Sequence, residues 1–147
     1  MKRYMIMAAL MGGLLVTTSC EREDDINVWN TDLPEIVQAQ YPGAVIKGAE
    51  RRPNGYEVEV LINGRDADIF YNNKYQWLYT EHEVYHNELP ETVVTGVTND
   101  GFSVYQAEDI ELLETAAEPE PLLSYRLTFD REPRDLVMVY GKDGVRQ

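Results

Sequence analysis

A chain of 147 residues has room for one compact domain or two small fused units, and 44% hydrophobic with 27% charged residues excludes both a disordered and a membrane-spanning protein. All 26 acidic residues follow Ser19; of the 13 basic residues Lys2 and Arg3 precede it, which leaves 11 and a formal net charge of −15 beyond Ser19. Such a surface repels nucleic acid and anionic lipid. It either keeps an exported domain soluble or matches a basic partner.

The chain opens as an address. Lys2-Arg3 is a positive n-region, residues 4–16 are apolar, and Thr17-Thr18-Ser19 leads in small residues to Cys20, the single cysteine. This is a signal peptide over residues 1–19, too short to span a bilayer of ~30 Å as a helix. Thr17-Thr18-Ser19-Cys20 resembles a bacterial lipobox, which makes Cys20 the expected lipidation site and explains a solitary cysteine in an exported chain. Acyl chains on Cys20 would hold the protein at a membrane, outside the inner membrane, without a spanning helix. Glu21-Arg22-Glu23-Asp24-Asp25 resembles a surface-export signal of outer-membrane lipoproteins and reads equally as a solvated tether. Residues 20–31 are expected to form an acidic linker.

One helical unit is written twice. Leu33-Pro34-Glu35 recurs as Leu89-Pro90-Glu91 at an offset of 56, with a proline suited to the first helical turn. Leu33, Ile36, Val37 and Tyr41 form an apolar stripe at helical spacing, answered by Leu89, Val93 and Val97. The strands also recur. Residues 56–60 match 125–129, Arg65-Asp66 matches Arg134-Asp135 and Tyr71 matches Tyr140, all at an offset of 69. The two offsets differ by 13, so an insertion of that length falls within residues 99–121 of the second copy.

Each copy reads as a helix followed by four antiparallel strands. In the first, strands at 44–52, 56–62, 65–71 and 75–84 are separated by turns at Pro53-Asn54-Gly55, Asn63-Gly64 and Asn72-Asn73. Asn63-Gly64 suits a two-residue hairpin loop, because both positions of a type I′ turn need positive φ. In the second, strands are expected at about 109–117, 122–129, 134–140 and 145–147. A small sheet with one helix buries too little apolar area to be very stable alone. Two copies joined edge to edge, residues 32–86 and 87–147, would give an α+β fold with a shared sheet and the helices on one face.

These residues resemble the PepSY-like proteins that are also described as similar to the beta-lactamase inhibitor protein. The resemblance rests on the lipoprotein start, Leu-Pro opening each helix, Tyr41-Pro42-Gly43, residues 55–60 and Lys142-Asp143-Gly144, and it covers residues 33–147. It implies tandem α/β units whose sheet presents an open, often concave face to another protein, with no catalytic residues and no cofactor. Asn72-Asn73-Lys74 departs from the family's Asp-x-x-Gly type of turn, and the second copy lacks Tyr-Pro-Gly.

One catalytic pattern is present. His82-Glu83-Val84-Tyr85-His86 fits H-E-x-x-H, in which two histidines on one helical face bind zinc and the glutamate activates water. Residues i and i+4 lie about 5 to 6 Å apart on a helix but roughly 13 Å apart on a strand. The alternating, aromatic run Tyr75, Trp77, Tyr79 continues into the motif and Pro90 stops a helix beyond it, so the flanks favour the strand over a zinc site. Glu57 with Glu59, and Asp66 with Asp68, are alternate residues on strands and read as a solvated face, not as acid/base pairs.

Strand alternation places Tyr56, Val58, Val60, Ile62, Ala67, Ile69 and Tyr71 under the first helix, and Tyr125, Leu127, Phe129, Leu136, Met138 and Tyr140 under the second. The opposite face shows Glu57, Glu59, Leu61, Asp68 and Phe70 in the first copy, and Arg126, Thr128, Val137 and Val139 in the second. Exposed apolar groups among charges suit protein docking. Tyr75, Trp77 and Tyr79 are its anchors if they share that face; Trp77 is otherwise a core residue. The expectation is a non-enzymatic envelope lipoprotein of the outer membrane, facing the periplasm or the cell surface, that binds a basic protein or a hydrolase. A calcium-type cation or small-ligand module is the alternative, and a zinc hydrolase the third.

Overall fold

The computed structural model describes residues 26–147. The signal peptide, Cys20 and the acidic cluster after it lie outside the described residues. Two α-helices, α1 (Leu33–Gln40) and α2 (Glu91–Asn99), lie against seven strands: β1 (Val45–Arg52), β2 (Gly55–Ile62), β3 (Arg65–Asn72), β4 (Trp77–Glu83), β5 (Asp109–Thr115), β6 (Leu122–Phe129) and β7 (Leu136–Gly141). Short 3-10 turns occur at Val28–Asn30, His86–Glu88 and Val104–Gln106. The strands form one antiparallel sheet in sequence order, so this is an α+β fold.

Local chemistry sets the elements. Pro34 sits in the first turn of α1 beside Glu35, whose negative charge is favourable at the positive end of the helix dipole. Asn63 at φ 53° and Gly64 at φ 81° turn β2 into β3, and the register runs unbroken from Gly55↔Asn72 to Ile62↔Arg65. Leu33 and Val37 of α1 are buried against Val58, Val60 and Ile69 of the sheet, each contributing about 1.5–3 kcal/mol of apolar burial. A second cluster joins Val93 and Val97 of α2 to Leu127, Phe129, Met138 and Tyr140.

The sheet is continuous where β4 pairs with β5, from Tyr79↔Thr115 to Glu83↔Glu111. On the helix side of this joint, a polar network replaces apolar packing. The Tyr41 hydroxyl lies 2.8 Å from both Thr80 Oγ1 and Glu114 Oε2, and Trp77 Nε1 donates to Thr80 Oγ1 at 2.9 Å. His82 Nε2 lies 3.1 Å from the same Glu114 oxygen. Every buried polar side-chain atom described has a partner, as a low-dielectric seam requires.

Four expectations need correction. First, residues 145–147 do not form a fourth strand in the second half: Asp143-Gly144 folds the chain back sharply, and only a Tyr140↔Arg146 bridge forms. Second, the segment read as a linker is docked at its end. Val28 is buried, and the Ile26 N–H donates to the Ala49 carbonyl on the edge of β1. Third, the turn after β3 runs through residues 72–76, because the Asn72 side chain accepts the N–H groups of Lys74 and Gln76 and Tyr75 takes φ 59°. β4 therefore starts at Trp77.

The fourth correction concerns the aromatic anchors. A bulge places Tyr71 opposite Trp77 while Phe70 stays opposite Tyr79, so Trp77 and Tyr79 do not share a face despite their spacing. Trp77 and Tyr75 pack on the helix-side core, Tyr75 stacking on Tyr56 with ring centroids 5.0 Å apart. Only Tyr79 reaches the open face.

Candidate functional site

The face of the sheet away from the helices is the candidate site. Cross-strand pairing puts Glu57, Glu59 and Leu61 of β2 beside Phe70, Asp68 and Asp66 of β3, and Tyr79, Glu81 and Glu83 of β4 continue the rows. β5 adds Asp109, Glu111, Leu113 and Thr115, and β6 and β7 add Leu122, Arg126, Thr128, Val137 and Val139. Thus Glu57, Glu59, Leu61, Asp68, Phe70, Tyr79, Arg126, Val137 and Val139 come together as expected from alternation. Tyr75 and Trp77 do not join them.

Two regions of this face differ in chemistry. At one end, Phe70 and Tyr79 stack with ring centroids 4.3 Å apart, and with Leu78, Arg52, Pro53 and Tyr56 they line an apolar notch of about 290 Å³. Leu78 is exposed because the bulge turns it out of the alternation. Further along β3 and β4, Asp66, Asp68, Glu81, Glu83, Asp109 and Glu111 line a trough of about 270 Å³.

Arg126 sits beside the trough and pairs with Glu111 at 2.5 Å and Glu81 at 2.9 Å, which holds the guanidinium charged and well above its usual range. Burial raises the Glu81 carboxyl, and its bond to Arg126 opposes the rise. Lys47 pairs with Asp66 at 2.6 Å. Asp68 forms no salt bridge or side-chain hydrogen bond among the described residues. Burial, then Glu57, Glu59 and Glu81, push its carboxyl up to about 6.

The native state thus holds a proton on Asp68 more tightly than the unfolded chain, whose carboxyl titrates near 3.8. The group costs stability above pH 6, and that cost disappears as the pH falls from about 6 to 4. Asp68→Asn is expected to stabilise the protein at pH 7 by about 1 kcal/mol, after discounting for its partial exposure. The same variant should shrink the gain in stability on going from pH 7 to pH 5, read by urea denaturation at the two pH values. An Asp68→Asn variant less stable than the parent at pH 7 would contradict this origin of the shift.

The H-E-x-x-H residues do not form a helical pair. His82 lies on β4 facing Glu114, while His86 opens a 3-10 turn with its ring 4.8 Å from that of Tyr105. Among the described residues, no group of three or more His, Cys, Asp or Glu side chains is placed to hold a metal ion. Sequence reading missed Leu78, Glu81, Leu113 and Leu122. Glu81 had a usable signal, since it shares the parity of Tyr79; Leu78 had none, because a bulge is set by the turn before it.

No family model matches the sequence, and no curated protein matches it. Solved structures do match. A BLIP-like protein from Bacteroides fragilis is 23% identical with a TM-score of 0.65, over 78% of this chain and 80% of that one. A DUF2874 family protein from Bacteroides ovatus has a TM-score of 0.65 at 14% identity, over 80% of this chain and 83% of that one. A protein from Bacteroides eggerthii, provisionally described as periplasmic, has a TM-score of 0.61 at 13% identity, over 78% and 83% of the two chains. Two helices on one side of a seven-stranded antiparallel meander are thus an arrangement this chain shares with BLIP-like and DUF2874 structures, and its fold is BLIP-like.

Proposed function

We propose that this protein is a non-enzymatic envelope lipoprotein that binds another protein through the open face of its sheet, and that the two halves are copies of one unit. The observation that carries the reading is the face itself: Phe70, Leu78, Tyr79, Leu113, Leu122, Val137 and Val139 leave apolar surface on a sheet side that no helix of the described residues covers. The BLIP-like fold supports it, since the resemblance implies a sheet whose open face is offered to another protein. A periplasmic description of one structural neighbour agrees with the signal peptide and with acylation at Cys20.

A partner that is basic, such as a hydrolase held in check, fits the net charge. The test is capture from native membranes by the acylated chain. A protein retained by the parent, lost with Tyr79→Ala and Arg126→Glu, and unaffected by Glu35→Lys on the outer side of α1 supports the reading. Capture insensitive to the face variants contradicts it. Cys20→Ala should release the protein from membranes, and continued membrane partition would refute the anchor.

A further inference from the structure

The two regions of the open face lie on one strand track. Phe70, Asp68 and Asp66 are successive open-face residues of β3, so they are spaced by about 7 Å each. An extended segment laid along that track has the same repeat, and its side chains i, i+2 and i+4 would meet notch, Asp68 and the end of the trough in turn. The notch ends on the stacked Phe70 and Tyr79 rings beside Leu78, a surface for one apolar side chain. The charge beyond it is only partly compensated: Arg126 and Lys47 pair with Glu81, Glu111 and Asp66, whereas Asp68, Glu83 and Asp109 form no salt bridge or side-chain hydrogen bond among the described residues, and Lys47 and Arg65 act on Asp68 and Glu83 only at longer range.

Resting on the protein-binding reading above, we propose that the occupant is an extended basic segment of the partner, with an apolar side chain in the Phe70–Leu78–Tyr79 notch and Lys or Arg two and four residues on, over Asp68 and Glu83. Charge complementarity selects this occupant. A second copy of a chain with 26 acidic residues would bring like charge to the trough. An incoming cation would also offset the carboxylate repulsion that adds to burial in raising the Asp68 carboxyl to about 6, so docking near that pH would favour release of its proton.

The test uses the acylated full chain and three capped peptides, Leu-Ser-Lys-Ser-Lys, Leu-Ser-Glu-Ser-Glu and Gly-Ser-Lys-Ser-Lys, titrated by calorimetry. The first is expected to bind saturably and to weaken with added salt. Affinity should fall about tenfold or more for either other peptide, and for the first peptide against Leu78→Ser or Asp68→Asn. Absence of saturable binding, equal binding of the Glu peptide, or binding indifferent to Leu78→Ser would overturn the proposal. So would a concentration-dependent dimer abolished by Leu78→Ser, which gives the notch to a second copy. If a partner is captured through the open face while the Lys peptide fails, this inference falls and the protein-binding reading stands; if face-dependent capture also fails, both fall.

Discussion

Gly55→Ala is expected to lower stability by about 3 kcal/mol, at the upper end of the cost of forcing atoms into a packed interior. A Cβ at this position would collide with the Tyr71 carbonyl oxygen and stand 2.8 Å from the Asn72 Cα. Both are backbone atoms of β3, so no side chain can swing aside; the start of β2 would have to leave its register with β3. The displacement would reach Tyr71, which is fully buried beneath α1 and whose hydroxyl lies 3.2 Å from Gln40 Oε1. Gly48→Ala is the matched control, because nothing lies within 4 Å of the Cβ it would add. Denaturant midpoints should drop sharply for Gly55→Ala and change by less than about 0.5 kcal/mol for Gly48→Ala. Similar stabilities for the two variants would contradict the close approach.

Leu127→Ala is expected to cost about 3 kcal/mol, within the range for truncating a fully buried leucine where the surroundings cannot collapse. Leu127 is 0% exposed in the cluster beneath α2, opposite Met138 and Ile110 on the neighbouring strands. The helix above it has little freedom to settle into the gap. Gly96 of α2 approaches the Gly144 carbonyl so closely that a Cβ would collide with its oxygen, and Thr92 Oγ1 donates to the Lys142 carbonyl at 2.6 Å. Leu33→Ala probes the other cluster in the same way. Because the two clusters share no residues, the two losses should add in the double variant, while the continuous β4–β5 pairing keeps unfolding a single transition. Two separate transitions in the parent chain, seen by calorimetry, would contradict that coupling.

The parts of the fold that depend on period and turn chemistry could be read from the residues. Asn63-Gly64 announced its hairpin because positive φ at two successive positions leaves few choices, and Val58, Val60, Ile69, Leu127 and Met138 fell on the buried face because a strand has a period of two. What escaped was decided by contacts made elsewhere. The bulge on β4 follows from the Asn72 side chain drawing the turn out to Gln76, and it reverses Trp77 relative to Tyr79. Docking of Ile26 and Val28 depends on a free edge at β1, and a polar, charged segment before them concealed it. Alternation made the open-face residues of β2, β3 and β7 legible, but not Leu78, Glu81, Leu113 and Leu122, nor the division of the face into an apolar notch and an acidic trough. That division needs β4 and β5 set side by side, a pairing between residues far apart in the chain.

Central to the proposed function is a protein partner on the sheet face opposite α1 and α2. Site-specific photo-crosslinking in intact cells tests it most directly, with a photoreactive residue placed at Thr128 or Val137 on that face and at Glu35 on α1. The account predicts a discrete protein adduct from Thr128 and Val137 and none from Glu35. Adducts confined to Glu35, or none at either open-face position, would contradict it.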